Sequence, residues 1–184
     1  MSDVVVLGIG NLLFADEGFG VRCVEELHRR FEVLGADVLD GGTQGLNLVQ
    51  YVAGAEHVLV FDCLDWGDPP GTLRVLRGAE VPSVYATGKL SLHQAGFWDV
   101  LAAADLLGRP PGEVVVVGVQ AADLEAWGDG LTDEVGAKLE PALRAGITEL
   151  SMWGVRCDVR PEPLSAEHGL LARGLDRASY ERPS

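Results

Sequence analysis

Cysteine is scarce in this chain: Cys23, Cys63 and Cys157 are the only three in 184 residues. They are odd in number, widely spaced and form no CxxC, which excludes a disulfide framework and points to reduced thiols in a cytosolic compartment. Positive charge is also short. Fourteen Lys plus Arg stand against 28 Asp plus Glu, a formal net charge of −14. Affinity for phosphate backbones comes mainly from Lys and Arg, and no basic stripe runs along any predicted helix, so nucleic acid is excluded as a partner. No apolar run approaches the ~20 residues of a membrane span. The first one is broken by Gly8, Gly10 and Asn11 and followed by Asp16 and Glu17. The N-terminus has neither a basic n-region nor a small-residue cleavage site. A cytoplasmic protein that inserts into no membrane is the expectation. Aromatics are sparse at 7%, and Trp66, Trp98, Trp127 and Trp153 are too scattered to form a stacking platform.

Apolar residues are plentiful at 47%, with 23% charged, the balance of a globular domain. A chain of this length buries roughly 70% of its unfolded surface and needs no disulfide staples. Val4–Ile9 is continuous and β-branched, a strand buried on both faces. Glu17–Phe31 follows with Val21, Val24, Leu27 and Phe31 at helical spacing. Ala36–Leu39 is a second strand ending at Asp40, and Gly45–Val52 has Leu46, Val49 and Val52 at helical spacing. Val58–Phe61 is a third strand, ending in Asp62. After the turn Asp65–Gly71, Thr72–Leu76 reads as an antiparallel edge strand reached without a crossover helix.

Gly78–Leu90 reads as a loop. A helix opens at Ser91 or Leu92 and stops at Gly108, Val114–Val117 is the last core strand, and Thr132 caps a last helix running to Leu150. This βαβαβ order implies a mostly parallel sheet with helices on both faces. Two units are expected: an α/β domain over residues 1–155 and a weakly structured extension over 156–184, rich in charged residues, Ser and Pro near its end.

Ligands of open parallel sheets bind beyond the carboxyl ends of the strands. Asp16 and Glu17 follow the first strand there, and Asp40 and Asp62 end the second and third. Any one of these carboxylates could be a helix cap or dipole partner. Gathered in a cleft, they would raise one another's pKa unless a cation or proton sat between them. His93, in the first turn of the helix after the loop, supplies an imidazole; its alternative is a buried His bonded to a carbonyl. Glu17, Asp62 and His93 form a mixed oxygen and nitrogen set suited to zinc or another borderline divalent metal. Gly8-x-Gly10 with Asp40 imitates a dinucleotide fingerprint, but its third glycine falls on Leu13, and Asp16 and Glu17 would repel phosphates. Cys63 is a weaker candidate near the site. Trp66 and Trp98 flank it in sequence and are candidates for a partner-binding rim.

The segments GIGNLLFADEGFGVR (Gly8–Arg22), LDGGTQG (Leu39–Gly45), FDCLDWGDPPGTLRVL (Phe61–Leu76), SLHQAGFWDVLAAADLLG (Ser91–Gly108) and VVVVGVQ (Val114–Gln120), in that order and spacing, resemble the hydrogenase maturation proteases. The resemblance covers about the first 150 residues. It implies an α/β three-layer sandwich, with a twisted, mostly parallel five-stranded sheet, helices on both faces and one antiparallel strand. It also implies an aspartyl endopeptidase-like hydrolase that removes the C-terminal extension of a nickel–iron hydrogenase large-subunit precursor after nickel insertion, cutting after a His or Arg. The family's metal-contacting residues fall on Glu17, Asp62 and His93. Asp40 matches its functionally important aspartate and becomes a candidate general base or peptide-orienting group.

The catalytic set expected is therefore Asp40, Glu17, Asp62 and His93, and the metal set Glu17, Asp62 and His93. Nickel would be supplied by the precursor and act as a recognition element, while zinc or cadmium could take its place in vitro. The precursor is the expected partner, contacted through the loops Asp65–Pro70 and Gly78–Leu90, by a protease acting as a monomer. The alternative is a non-catalytic, nickel-dependent chaperone docking on the same precursor.

Overall fold

A computed structural model describes residues 2–81, 92–128, 130–172 and 174–180, with backbone alone for 92–96 and 178. Its main sheet has five strands in the order β3-β1-β4-β6-β5. These are β1 (Val4–Ile9), β3 (Asp37–Gly42), β4 (His57–Leu64), β5 (Leu73–Arg77) and β6 (Glu113–Gln120). All neighbours are parallel except β5, which runs antiparallel to β6 at the edge, as the turn-only connection predicted. The helices α1 (Phe19–Arg30), α2 (Val49–Val52), α3 (Leu92–Leu106), α4 (Asp133–Gly136) and α5 (Leu139–Met152) follow the same βαβ rhythm.

Alternation along the strands divides the core in two. Val4, Val6, Leu59, Phe61, Val115 and Val117 face α1 and α5, packing on Val24, Leu27 and Leu143. Val5, Leu7, Val58, Val60 and Val116 face α2 and α3, packing on Val52, Phe97 and Val100. A sheet buried on both faces needs apolar residues of both parities, which is why its strands read as unbroken Val runs. In the short second helix the core residues are Leu48 and Val52, while Leu46 is 61% exposed.

Several boundaries differ from the sequence reading. Ala15–Gly18 is a 3-10 turn, so α1 proper starts at Phe19. It ends at Arg30, and Phe31 begins β2 (Phe31–Leu34). β2 pairs antiparallel with β7 (Arg156–Val159), a small sheet absent from the sequence reading. β3 and β4 both run two residues past the expected Asp40 and Asp62, because β1 and β6 keep pairing with them as far as Gly42 and Leu64. The expected helix from Thr132 to Leu150 is two helices. Pro141 has no N–H to donate and is tolerated only in a first turn, so a new helix starts at Leu139. Thr132 does cap the first piece, accepting from Val135 N at 3.4 Å.

Beyond β7 the described residues include the 3-10 turn Ala166–His168 and the short helix α6 (Arg177–Tyr180). This segment is tied to α1 throughout. Leu164 N donates to Arg29 O at 2.9 Å and Arg177 N to Glu25 Oε1 at 3.0 Å. Arg22, 1% exposed, donates to both Glu25 Oε2 (2.8 Å) and Leu175 O (2.7 Å). A buried guanidinium must be paired, and here the partners are a carboxylate on its own helix and a carbonyl from the C-terminal segment.

α1 lies on the sheet at backbone contact. A methyl at Gly20 would fall 2.2 Å from Phe61 O and 2.3 Å from Ile9 O, and one at Gly8 would fall 2.3 Å from Gly20 O. The opposing atoms are backbone on both sides and cannot rotate away. Gly20→Ala is accordingly expected to cost about 3 kcal/mol, the upper range for overpacking, in urea-unfolding measurements.

Candidate active site

The strand order reverses beside β1: the chain passes from β1 outward to β3, then back across to β4. Such a reversal opens a crevice beyond the strands' carboxyl ends, between β1 and β4. Glu17 lies in the turn that follows β1, and Asp62 lies near the end of β4.

Glu17 is set by the glycines before it. Gly10 has φ +136°, and a Cβ there would sit 1.7 Å from Glu17 O. Asn11 N donates to that same carbonyl at 3.2 Å, and Gly10 N to Gly42 O at 3.2 Å. The Gly8-x-Gly10 pair therefore serves the close packing of the 3-10 turn and α1, and Glu17's own backbone fills the space over the turn.

Asp16, fully buried, holds this turn from the other side. Its Oδ2 accepts from Ala122 N (2.9 Å), Asp123 N (2.9 Å) and Thr132 Oγ1 (3.1 Å), and its Oδ1 from Thr132 N (2.8 Å). Four donors satisfy the charge, so Asp16 ties the loop after β1 to the loop after β6. Its neighbour Glu17 is only half-buried.

Asp62 is 2% exposed, and its Oδ1 accepts from Cys63 N at 2.8 Å. It alternates with Phe61 and Cys63, so its side chain leaves the sheet on the α3 face, shared with Val58, Val60 and Leu64. The Cys63 thiol reports how the carboxylates cluster. Burial, then the negative charges of Asp62, Asp16 and Glu17, hold it well above the usual thiol range. Cys63 thus stays protonated at neutral pH and is no nucleophile.

Asp40 stands apart from this group. It pairs in register with Gly8, which pairs with Phe61, so two strand spacings, about 10 Å, separate it from β4. Its carboxyl is half-buried, and Oδ1 is buried with no hydrogen-bond partner among the described residues. Burial pushes the Asp40 carboxyl up, opposed by the Gly42 N–H. His93 is the second residue of α3, but its side chain lies outside the described residues, as do residues 82–91 of the expected loop Gly78–Leu90 and helix start. Among the described residues no three His, Cys, Asp or Glu side chains converge as a metal-holding group. Glu17 and Asp62 offer hard, anionic oxygens that suit a divalent cation, and an imidazole is what they would need to complete the set.

Gln120 was passed over in the sequence, although a polar residue closing the run VVVVGV was a signal. It is 4% exposed at the end of β6. Its Oε1 accepts from Trp66 N (3.0 Å) and Asp68 N (3.2 Å), and its Nε2 donates to Asp65 Oδ1 (3.0 Å) and Ala121 O (3.2 Å). Three of these four hydrogen bonds hold the loop that follows Asp62. Trp66 packs over Gly118, where a Cβ would come within 3.0 Å of the indole. Trp98 is 40% exposed on α3.

With this geometry, the comparisons are specific. Residues 21–149 match the family model described as HycI, hydrogenase maturation protease. The chain belongs to the hydrogenase maturation protease family. It is 49% identical over 183 residues to the hydrogenase expression/formation protein HupD of Bradyrhizobium diazoefficiens, covering 98% of this chain and 95% of the relative. It is 40% identical over 154 residues to the hydrogenase 2 maturation protease of Escherichia coli, covering 83% of this chain and 93% of that one. The fold is similar to that of the hydrogenase maturating endopeptidase HybD from E. coli, with a TM-score of 0.80 and 40% identity over 85% of this chain and 97% of that one. The family is one of endopeptidases. No described helix is long and apolar enough to cross a membrane.

Two outcomes are expected. Asp16→Ala strands the buried N–H groups of Ala122, Asp123 and Thr132 and should lower unfolding stability by about 3 kcal/mol, measured in urea, with Asp16→Asn recovering part of the loss. Asp40, whose folded pKa is raised, favours folding when protonated, so its contribution is full below the unfolded value of about 3.9 and is lost as pH rises through the folded value. Asp40→Asn should therefore raise the melting temperature at pH 7, with a gain that shrinks as pH falls toward 4.

Proposed function

We propose that this protease removes the C-terminal extension of a nickel–iron hydrogenase large-subunit precursor after nickel insertion, in the cytoplasm and as a monomer. Nickel carried by the precursor is read by Glu17, Asp62 and His93, which makes cleavage conditional on loading. The observation that supports this best is that Glu17, in the turn after β1, and Asp62, near the end of β4, stand at the carboxyl ends of two adjacent parallel strands, one half-buried and one fully buried. Two carboxylates in a low-dielectric cleft repel each other and favour a cation between them. His93 belongs to α3, the helix packed on the sheet face that Asp62 occupies. A divalent ion held there supplies charge stabilisation to the peptide carbonyl. Zinc or cadmium would compete for the same donors in vitro.

Asp40 acts on the peptide as a general base or orienting group. Its upward-shifted carboxyl fits the first role, since a base works best with a pKa nearer the operating pH.

Intact mass spectrometry of the precursor, incubated with the protein with and without bound nickel, tests the reading. Loss of a C-terminal peptide is expected only from the nickel-loaded form, and His93→Ala should abolish it without changing the melting temperature. A precursor that binds yet keeps its mass in both states would replace the protease with a nickel-dependent chaperone; a His93→Ala variant cleaving at the parent rate would remove the metal role.

A further inference from the structure

The carboxyl edge of the sheet has a second feature that the proposed chemistry does not use. Leu13 and Trp127 are 37% and 64% exposed. The Trp127 ring is met edge-on by Phe14, with centroids 5.0 Å apart. These residues belong to two loops joined as a short antiparallel pair through the Phe14–Trp127 bridge. Ala15 N donates to Ala126 O (2.9 Å), Asp16 N to Asp123 O (3.1 Å) and Gly128 N to Leu13 O (3.0 Å). The Asp16 carboxylate fastens the same two loops from beneath. An exposed Trp on a mobile loop would mean little, but this one sits on backbone held by several hydrogen bonds. Little conformational entropy is left to lose on binding, which is the property of an aromatic interface anchor.

The surroundings indicate what binds. No Lys or Arg occurs in residues 1–21 or 113–137, whereas Glu17, Asp123, Glu125, Asp133 and Glu134 flank the rim in sequence. The Asp123 carboxylate accepts from Glu125 N and Ala126 N, which holds it below the usual carboxylate range and hence charged at neutral pH. An apolar ridge flanked in sequence by carboxylates and by no Lys or Arg suits a segment with apolar and basic side chains. The ridge begins four residues before Glu17, on the loop that leads into the turn carrying it.

We propose that the Leu13–Trp127 ridge is the docking site for a basic, apolar-bearing segment of the large-subunit precursor, outside the groups that cleave it. This inference rests on the proteolytic reading above for the identity of the partner. A ridge of this kind supplies binding without taking part in chemistry, so it should govern KM and leave kcat alone.

The test uses the full chain and nickel-loaded precursor. Trp127→Ala is expected to raise KM about 30-fold, the effect of truncating an interface hot spot, with kcat within about twofold and an unchanged melting temperature. The control Leu106→Ser, which removes an 89%-exposed apolar group from the end of α3, should change neither constant. An unchanged KM for Trp127→Ala, or an equal rise for Leu106→Ser, overturns the proposal. A photoreactive benzoyl-phenylalanine at position 127 covers the case in which the alanine variant fails to fold. It should crosslink to the precursor; crosslinking only to a second copy of this chain, or to nothing, overturns the proposal. If the parent cleaves no precursor, the proteolytic reading falls, and the crosslink still decides the docking.

Discussion

The site is located by a backbone contact. α1 rests directly on the carboxyl ends of β1 and β4, with Gly20 against Phe61 O and Ile9 O, and Gly8 against Gly20 O. Three glycines make this approach possible, because any Cβ at Gly8, Gly10 or Gly20 would overlap backbone that cannot rotate away. The contact brings the 3-10 turn Ala15–Gly18 down over the crevice and presents Glu17 there. It also explains why a Gly-x-Gly after the first strand need not cradle phosphate. In this chain the space above Gly10 is occupied by Glu17's own carbonyl.

Chemically similar carboxylates then take different roles from their surroundings. Asp16 and Glu17 are adjacent, yet Asp16 accepts four hydrogen bonds and acts as a structural tie, while Glu17 stays half-exposed beside the cleft. Asp62 is buried on the α3 face, and Asp40 has a buried, unbonded oxygen on the far side of β1. Burial with donors stabilises charge; burial without them disfavours it. Asp16 is a tie because its oxygens meet four donors, whereas Asp40, the proposed base, has an oxygen that meets none among the described residues.

The edge around the cleft is also over-determined. Gln120 uses three of its four amide hydrogen bonds to hold the loop after Asp62, and Asp16 fixes the loops after β1 and β6 to each other. A protease acting on a folded partner benefits from a rigid frame, since ordering costs at binding would otherwise reduce affinity. On the opposite side of α1, the buried Arg22 ties down the C-terminal segment through Glu25 and Leu175. The helix beneath the cleft is thereby held from both sides.

The sequence alone determined the layers and nominated the candidate site. Runs such as VVVLGI and VVVV require a sheet buried on both faces, and the missing crossover before Thr72 required an antiparallel edge. Position after successive strands was enough to nominate Glu17, Asp40 and Asp62, because strand ends are legible in local patterning and open parallel sheets bind ligands at one edge. Tertiary structure decided what local patterning does not encode. β2 and β7 are four residues each, too short to show a period, and they pair across more than 120 residues. Pro141 split a helix whose apolar stripe ran on. The separate fates of Asp16 and Glu17, the latch role of Gln120 and the Leu13–Trp127 ridge all depend on N–H groups and rings brought from distant loops. Periodicity records which face of an element is apolar; only packing settles which donors reach a given carboxylate.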